Sequence, residues 1–172
     1  MKKWAWLPLG IFLVLTLFLW RALSLNPQLL PSTQIGQLVP DLKLPILDQS
    51  HKKLNLSKLR GHYYLLTIWA SWCEACVEEQ TFLLQLARQG IPIIGVNYKD
   101  KPKDAKAWLR EWGNPYQSIG VDRQGAAAVD LGVYGAPETF LINPQGVIIL
   151  RHVGLLNQQA WDQDFLPRMN AS

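Results

Sequence analysis

Between Tyr63 and Ala70 the chain reads Tyr-Tyr-Leu-Leu-Thr-Ile-Trp-Ala, without a single charge. An unbroken apolar run rich in β-forming side chains predicts a strand covered on both faces. Beyond Cys76 the spacing changes. Val77, Leu83, Leu84 and Ala87 recur at helical intervals until Gly90 and Pro92 close the segment, predicting a helix over Cys73–Gln89. A strand at Ile91–Asn97 follows. Pro102 then fits the first turn of a helix on which Ala105, Trp108, Leu109 and Trp112 form an i, i+3, i+4, i+7 stripe, ended by Gly113. That spacing assigns both tryptophans to the core. A strand around Gln117–Val121 and a short helix at Ala126–Leu131 come next. Glu138–Ile142 and Val147–Arg151 flank Asn143-Pro144-Gln145-Gly146 as an antiparallel hairpin, and Asn157–Leu166 supplies a last helix, stopped by Pro167. Upstream, Leu42, Leu44 and Ile46 with Lys53-Leu54-Asn55 predict a short hairpin. Parallel βαβ units followed by ββα predict an α/β domain, a mixed sheet with helices on both faces.

The N-terminus follows a different rule. Lys2 and Lys3 precede an uncharged, mostly apolar stretch from Trp4 to Trp20, then Arg21 and Ala22–Leu25. This predicts one N-terminal transmembrane helix in residues 4–25, with Trp4, Trp6 and Trp20 at the interfaces and the lysines in the cytoplasm. Ala22-Leu23-Ser24 offers a small-x-small cleavage site, so a removable signal peptide is the competing reading. Arg21 directly before that site and tryptophans at both ends favour a retained anchor. The organisation is then an anchor at 1–25, a proline-bearing tether at 26–40 and one domain at 41–172, on the outer side of the membrane. The chain has 17 Lys and Arg against 13 Asp and Glu. Lys2, Lys3 and Arg21 belong to the anchor, so the domain is nearly neutral and the sequence pI of 9.1 does not argue for nucleic-acid binding. Lys99, Lys101, Lys103 and Lys106, beside Asp100 and Asp104, read as a solvated face.

The only two cysteines, Cys73 and Cys76, stand where the buried strand gives way to a helix. A Cys-x-x-Cys opening a helix inside a βαβ pattern is the thioredoxin-like redox signature. Unpaired N–H groups and the helix dipole stabilise a thiolate at a helix N-terminus, which makes Cys73 the attacking residue. Cys76, one turn deeper, resolves the mixed disulfide by internal attack. A zinc site needs four ligands, and His51, His62 and His152 are scattered singly. As a mere staple, a bridge over so short a loop removes little unfolded-chain entropy.

Pro137 precedes a strand, where a proline must sit at a beginning or an edge. Thioredoxin-like domains, which this order of elements resembles, hold a cis-proline there against the sulfurs, with the preceding backbone free to pair with substrate. Gly132-Val133-Tyr134-Gly135-Ala136-Pro137-Glu138-Thr139-Phe140-Leu141-Ile142 resembles the segment that marks the DsbE/CcmG thiol:disulfide interchange proteins of cytochrome c biogenesis. Gly95-Val96-Asn97-Tyr98-Lys99-Asp100, Trp108-Leu109, Gly113-Asn114-Pro115-Tyr116 and Arg151-His152-Val153-Gly154 carry the same likeness.

The resemblance implies a reductant anchored in a bacterial inner membrane and facing the periplasm, with a redox-active Cys73–Cys76 disulfide and no metal, haem or other cofactor. Its substrate is the disulfide of apocytochrome c or of a haem-ligation partner, and its electrons come from a transmembrane thiol reductase of the DsbD type. Trp72, Ala136, Pro137 and Glu138 are the implied substrate-contacting residues. For Glu138, a second acidic candidate near the sulfurs, tuning of the potential is the alternative to substrate contact. Glu79, three residues beyond Cys76, is either the acceptor of the Cys76 proton or an ordinary exposed helix glutamate like Glu78. A broader reductase or oxidant of exported proteins, and a docking module without turnover, are the alternative functions. The family commonly has Pro-Thr between its cysteines, where this chain has Glu74-Ala75. The Glu74 carboxylate repels a thiolate at Cys73. Glu74→Gln is therefore expected to lower the Cys73 pKa, read from thiolate absorbance against pH; an unchanged or raised midpoint rejects the repulsion.

Overall fold

The computed structural model describes residues 7–23 and 34–170, divided into two compact units, Met1–Pro31 and Ser32–Ser172. The first holds α1 (Leu7–Leu23), uncharged up to Arg21. Its 17 residues extend about 25 Å, against a hydrocarbon core of roughly 30 Å. Among the described residues, no helix is long and apolar enough to cross a membrane. Trp4–Trp6 and Ser24–Leu25, the ends of the predicted span, lie outside the described residues, as does most of the tether.

The second unit is a seven-stranded sheet. In chain order its elements are β1 (Lys43–Ile46), β2 (Gln49–Asn55), β3 (Tyr64–Trp69), α2 (Glu74–Arg88), β4 (Ile93–Tyr98), α3 (Pro102–Trp112), β5 (Ser118–Asp122), α4 (Ala126–Asp130), β6 (Glu138–Ile142) and β7 (Ile148–Val153). The strand order is β2-β1-β5-β4-β3-β6-β7. The central strands β5, β4 and β3 are parallel, and β6, β7, β1 and β2 join antiparallel. Residues Gly36 to Val39, at the end of the sequence-predicted tether, bond along the outer edge of β7 (Gly36 N–H to Ile148 O, Ile148 N–H to Gln37 O). This covers an edge that would otherwise be open to pairing.

Every residue of β3 is buried, as its unbroken apolar run demands. Alternation then divides the core. Leu65 and Trp69 pack with Leu83 and Leu86 of α2, Trp108 of α3, and Trp161 and Phe165 near the C-terminus. Tyr64, Leu66 and Ile68 face the other way, onto Ala127 and Ala128 of α4 with Leu54 and Leu56. Helices thus cover both faces, the second by only one short helix and the N-terminal hairpin.

Two sequence expectations are corrected. Trp112 is 43% exposed while Trp108 is buried at 6%, so the apolar stripe of α3 leaves the core in its last turn. Pro167 does not stop the C-terminal helix. The chain runs from α5 (Gln158–Ala160) through a π-helical turn at Trp161–Phe165 into α6 (Leu166–Asn170). The π turn, in which Leu166 N–H reaches Trp161 O, shifts the hydrogen-bond register just before the proline. The ring therefore escapes the clash with the i−4 carbonyl that normally ends a helix.

Trp69 stacks on Tyr116 at 5.3 Å and tilts against Trp108 at 5.0 Å. Gly95 of β4 leaves room for this stack: a Cβ there would stand 2.8 Å from Trp69 Nε1 and 3.0 Å from Tyr116 Cγ. Gly95→Ala is expected to cost about 1–3 kcal/mol by overpacking, whereas Gly135→Ala, with nothing within 4 Å of its Cβ, should stay within about 0.5 kcal/mol of the parent. Urea midpoints of the full chain distinguish them; equal midpoints exclude the clash.

Candidate active site

Cys73 is the N-cap of α2. Its backbone is extended (φ −92°, ψ 108°), and its Sγ accepts the Cys76 N–H at 3.2 Å. The residue type that opens this helix is thus also its cap. Sulfur occupies the place usually taken by a Ser, Asp or Asn oxygen, accepting an N–H that no helical carbonyl can reach. Cys73 and Cys76 form a disulfide with Cα atoms 5.3 Å apart, and the deeper sulfur belongs to the less exposed residue, 1% against 5%. Trp72, beside them, is 57% exposed, yet its Nε1 donates to Lys99 O at 3.1 Å.

Glu79 is buried at 1%, which removes the reading of an exposed helix glutamate. Its Oε2 accepts the Leu156 N–H at 3.0 Å, while Oε1 is buried without a hydrogen-bond partner among the described residues. Burial pushes its pKa up to about 8, against a smaller downward pull from the Leu156 N–H. Burial, with the Glu79 charge adding to it, also holds the Tyr116 phenol well above its ordinary pKa, so the two groups share one interior. A carboxyl titrating near 8 is matched to a thiol, ordinarily about 8.5, for proton exchange.

The Ala136–Pro137 peptide bond is cis. Ala136 packs against the apolar cluster that contains both cysteines. No hydrogen bond engages the Ala136 backbone among the described residues, whereas Pro137 O accepts the Gly154 N–H at 2.9 Å. The expectation that Glu138 contacts substrate is corrected. Its side chain is 1% exposed and its oxygens are occupied: Oε2 by Arg151 Nη2 at 2.7 Å and Nε at 2.8 Å, Oε1 by the Tyr134 and Gly135 N–H groups at 2.8 and 3.3 Å. Arg151 Nη2 also donates to Gly132 O at 2.8 Å. Glu138 therefore acts on the loop that carries Pro137 from inside.

Sequence reasoning missed three participants. Arg151 answers Glu138 from across the β6–β7 ladder, where it is registered with Phe140. The loop after β7 supplies Leu156 to Glu79 and Gly154 to Pro137, and His152 Nε2 bonds Leu155 O at 3.1 Å. Asp100, read as a neighbour of surface lysines, is buried at 8% and holds the chain just ahead of Cys73. Its signal was positional: it follows the carboxyl end of a parallel strand, where α/β sheets gather functional groups. A cavity of about 460 Å³ lined by Pro45, Leu47, Pro102 and Val121 includes none of the redox residues. Exchange with another protein's disulfide needs an exposed ledge rather than an enclosed pocket. Among the described residues, no group of three or more His, Cys, Asp or Glu is placed to hold a metal ion.

Comparison with known proteins fits this geometry. The Redoxin family model matches residues 34–164. Thiol:disulfide interchange protein DsbE of Pseudomonas aeruginosa is 44% identical over 161 residues, covering 94% of this chain and 89% of the relative. That of Escherichia coli is 42% identical over 172 residues, covering 96% and 93%. The chain belongs to the DsbE family of thiol:disulfide interchange proteins. Like DsbE proteins, it is a thiol:disulfide oxidoreductase with a thioredoxin-like domain. Among solved structures, a Chlorobium tepidum chain assigned as DsbE superposes with a TM-score of 0.61 at 27% identity, covering 79% of this chain and 94% of that one. A secreted thiol-disulfide isomerase of Corynebacterium glutamicum shares the fold with a TM-score of 0.67 at 22% identity, covering 78% and 86%.

The raised pKa of Glu79 has a signed consequence. Folded Glu79 keeps its proton to about pH 8, whereas the unfolded chain loses it near about 4.3. The unfolded state binds fewer protons in between, so stability falls as pH rises through that window, by up to about 1.4 kcal/mol per pH unit. Glu79→Gln should remove this slope from the oxidised full chain in urea titrations at several pH values. Parallel profiles for the two proteins exclude a protonated buried Glu79.

Proposed function

We propose that the chain is a membrane-anchored reductant of the periplasmic face that reduces the disulfide of apocytochrome c, or of its haem-ligation partner, during cytochrome c maturation. Residues 4–25 serve as a retained single-pass anchor. Support comes from the uncharged stretch between Lys3 and Arg21 and from the tryptophans at its ends. Electrons arrive from a transmembrane thiol reductase of the DsbD type. The observation that carries the catalytic reading is Cys73 as a sulfur N-cap one helical turn before Cys76 and two before the buried Glu79.

In the reduced protein the Cys73 thiolate attacks one sulfur of the substrate disulfide. A Cys73–substrate disulfide forms and the other substrate sulfur leaves as a thiolate. When Glu79 is ionised, Cys76 gives its proton to that carboxylate and attacks Cys73 Sγ, releasing the second substrate thiolate and closing the Cys73–Cys76 bond. Two electrons have passed to the substrate. Ala136 presents its unengaged N–H and C=O to a substrate strand, and Trp72 lies beside the attacking sulfur as an apolar ledge.

Cys76→Ala should arrest the reaction at the mixed disulfide. Trapping with the full-length variant in cells and identifying the attached proteins tests the assignment. Recovery of apocytochrome c or haem-ligation proteins is the expected result. Recovery of unrelated exported proteins alone would instead mark a broad-specificity disulfide reductase.

A further inference from the structure

The Asp100 carboxylate accepts four hydrogen bonds. Oδ2 takes the Ser71 N–H at 2.7 Å and Asn97 Nδ2 at 2.9 Å, and Oδ1 takes Ser71 Oγ at 2.9 Å and the Lys101 N–H at 2.7 Å. Two of these donors lie on the loop from β3 into α2, two residues before Cys73. The other two lie on the stretch from β4 into α3. One residue away, Lys99 O takes the Trp72 indole N–H. Lys99 adopts a positive φ of 46°, which a non-glycine residue rarely holds, and its own N–H is bonded to Asp122 O at 2.9 Å. A carboxylate bound by backbone N–H groups on both loops, at short charge-assisted distances, holds them more firmly than neutral contacts would.

We propose that Asp100 is a positioning residue for thiol–disulfide exchange: through Ser71 it fixes the loop that sets Cys73 at the helix mouth and holds Trp72 beside it. The inference rests on the proposed attack by Cys73, within the exchange activity that family membership establishes, and not on which protein is the substrate. Three donors on the Ser71–Trp72 segment, the Ser71 N–H, the Ser71 hydroxyl and the Trp72 indole N–H, all end on Asp100 or its neighbour Lys99. The Cys73 N–H closes the turn onto Ala70 O at 3.2 Å. Loosening Ser71 therefore leaves that turn and the Trp72 bond to Lys99 O to restrain where the sulfur meets the first N–H groups of α2. Misplacement of a reacting atom by about an ångström is enough to slow a reaction on the order of a hundredfold.

The test uses the reduced full chain with a disulfide-bonded peptide as substrate, comparing the parent, Asp100→Asn and Ser71→Ala. An amide in place of the carboxylate meets a donor with a donor on one side, whichever way it is turned. The expected result for Asp100→Asn is a tenfold or greater fall in the rate of Cys73 attack, with the thiolate titration midpoint moved to higher pH. Removal of the Asp100 charge by itself would move that midpoint to lower pH, so its direction separates positioning from simple electrostatics. Ser71→Ala keeps the carboxylate and the backbone bond and loses only the hydroxyl. It should shift both readouts the same way, with a roughly threefold fall in rate, and it decides the matter should Asp100→Asn not fold. Folded variants whose attack rate and thiolate midpoint match the parent, with only the urea midpoint lowered, would overturn the proposal. That outcome leaves the exchange activity itself untouched, so it is distinct from failure of the Cys73–Cys76 chemistry, in which the parent would not react.

Discussion

A helix buried against a sheet must find acceptors for the N–H groups of its first turn, and in α2 one of those acceptors is a sulfur. The Cys73 Sγ fills the capping position with its 3.2 Å contact to the Cys76 N–H. The same contact that lets the helix begin favours negative charge on that sulfur. The rest of the domain serves this junction. β3, buried along its whole length, delivers the chain to one place. Leu83 and Leu86 seat α2 on the sheet, and the stack of Trp108, Trp69 and Tyr116 fills the space between α2, α3 and β5.

Proton handling comes from a second constraint. No acidic residue lies on β3, so a buried acceptor for the resolving thiol has to come from elsewhere. In the proposed mechanism Glu79 fills that place from α2 itself, on the face that turns inward with Cys76 and Leu83. Its burial raises its affinity for a proton, while the single N–H from Leu156 keeps the charged form accessible. Asp100 differs in its contacts: it accepts four hydrogen bonds and joins two loops, where Glu79 accepts one.

What could be read from the sequence is what is local. The Cys-x-x-Cys at a strand-to-helix boundary, the stripe of α3 and the hairpin at Asn143–Gly146 each follow from spacing within a dozen residues. Whether Glu79 was exposed or buried could not be read, because its fate depends on Leu156, 77 positions away. The same holds for Glu138. Proximity to Pro137 suggested contact with substrate, but Arg151, arriving on the next strand, draws the carboxylate inward. Breaking such a buried pair by removing one partner costs on the order of 3–5 kcal/mol. Trp112 and Pro167 were misread because a helical stripe does not reveal where the core ends, and a proline rule assumes α-helical register.

The loop after β7 joins the two sides of the reaction. Gly154 donates to Pro137 O, and Leu156, two residues on, donates to Glu79. The cis-proline loop and the Glu79 carboxyl are therefore fastened to one short segment, itself held by the His152 contact to Leu155 O. Asp100 does the equivalent on the opposite side, joining the Cys73 loop to the end of β4. Exchange between two proteins demands that three sulfurs align, and in this domain the two it owns are held between clasps that close on backbone atoms. Trp72 is both exposed and tied to Lys99 O, so a change at that surface position reaches the clasp as well.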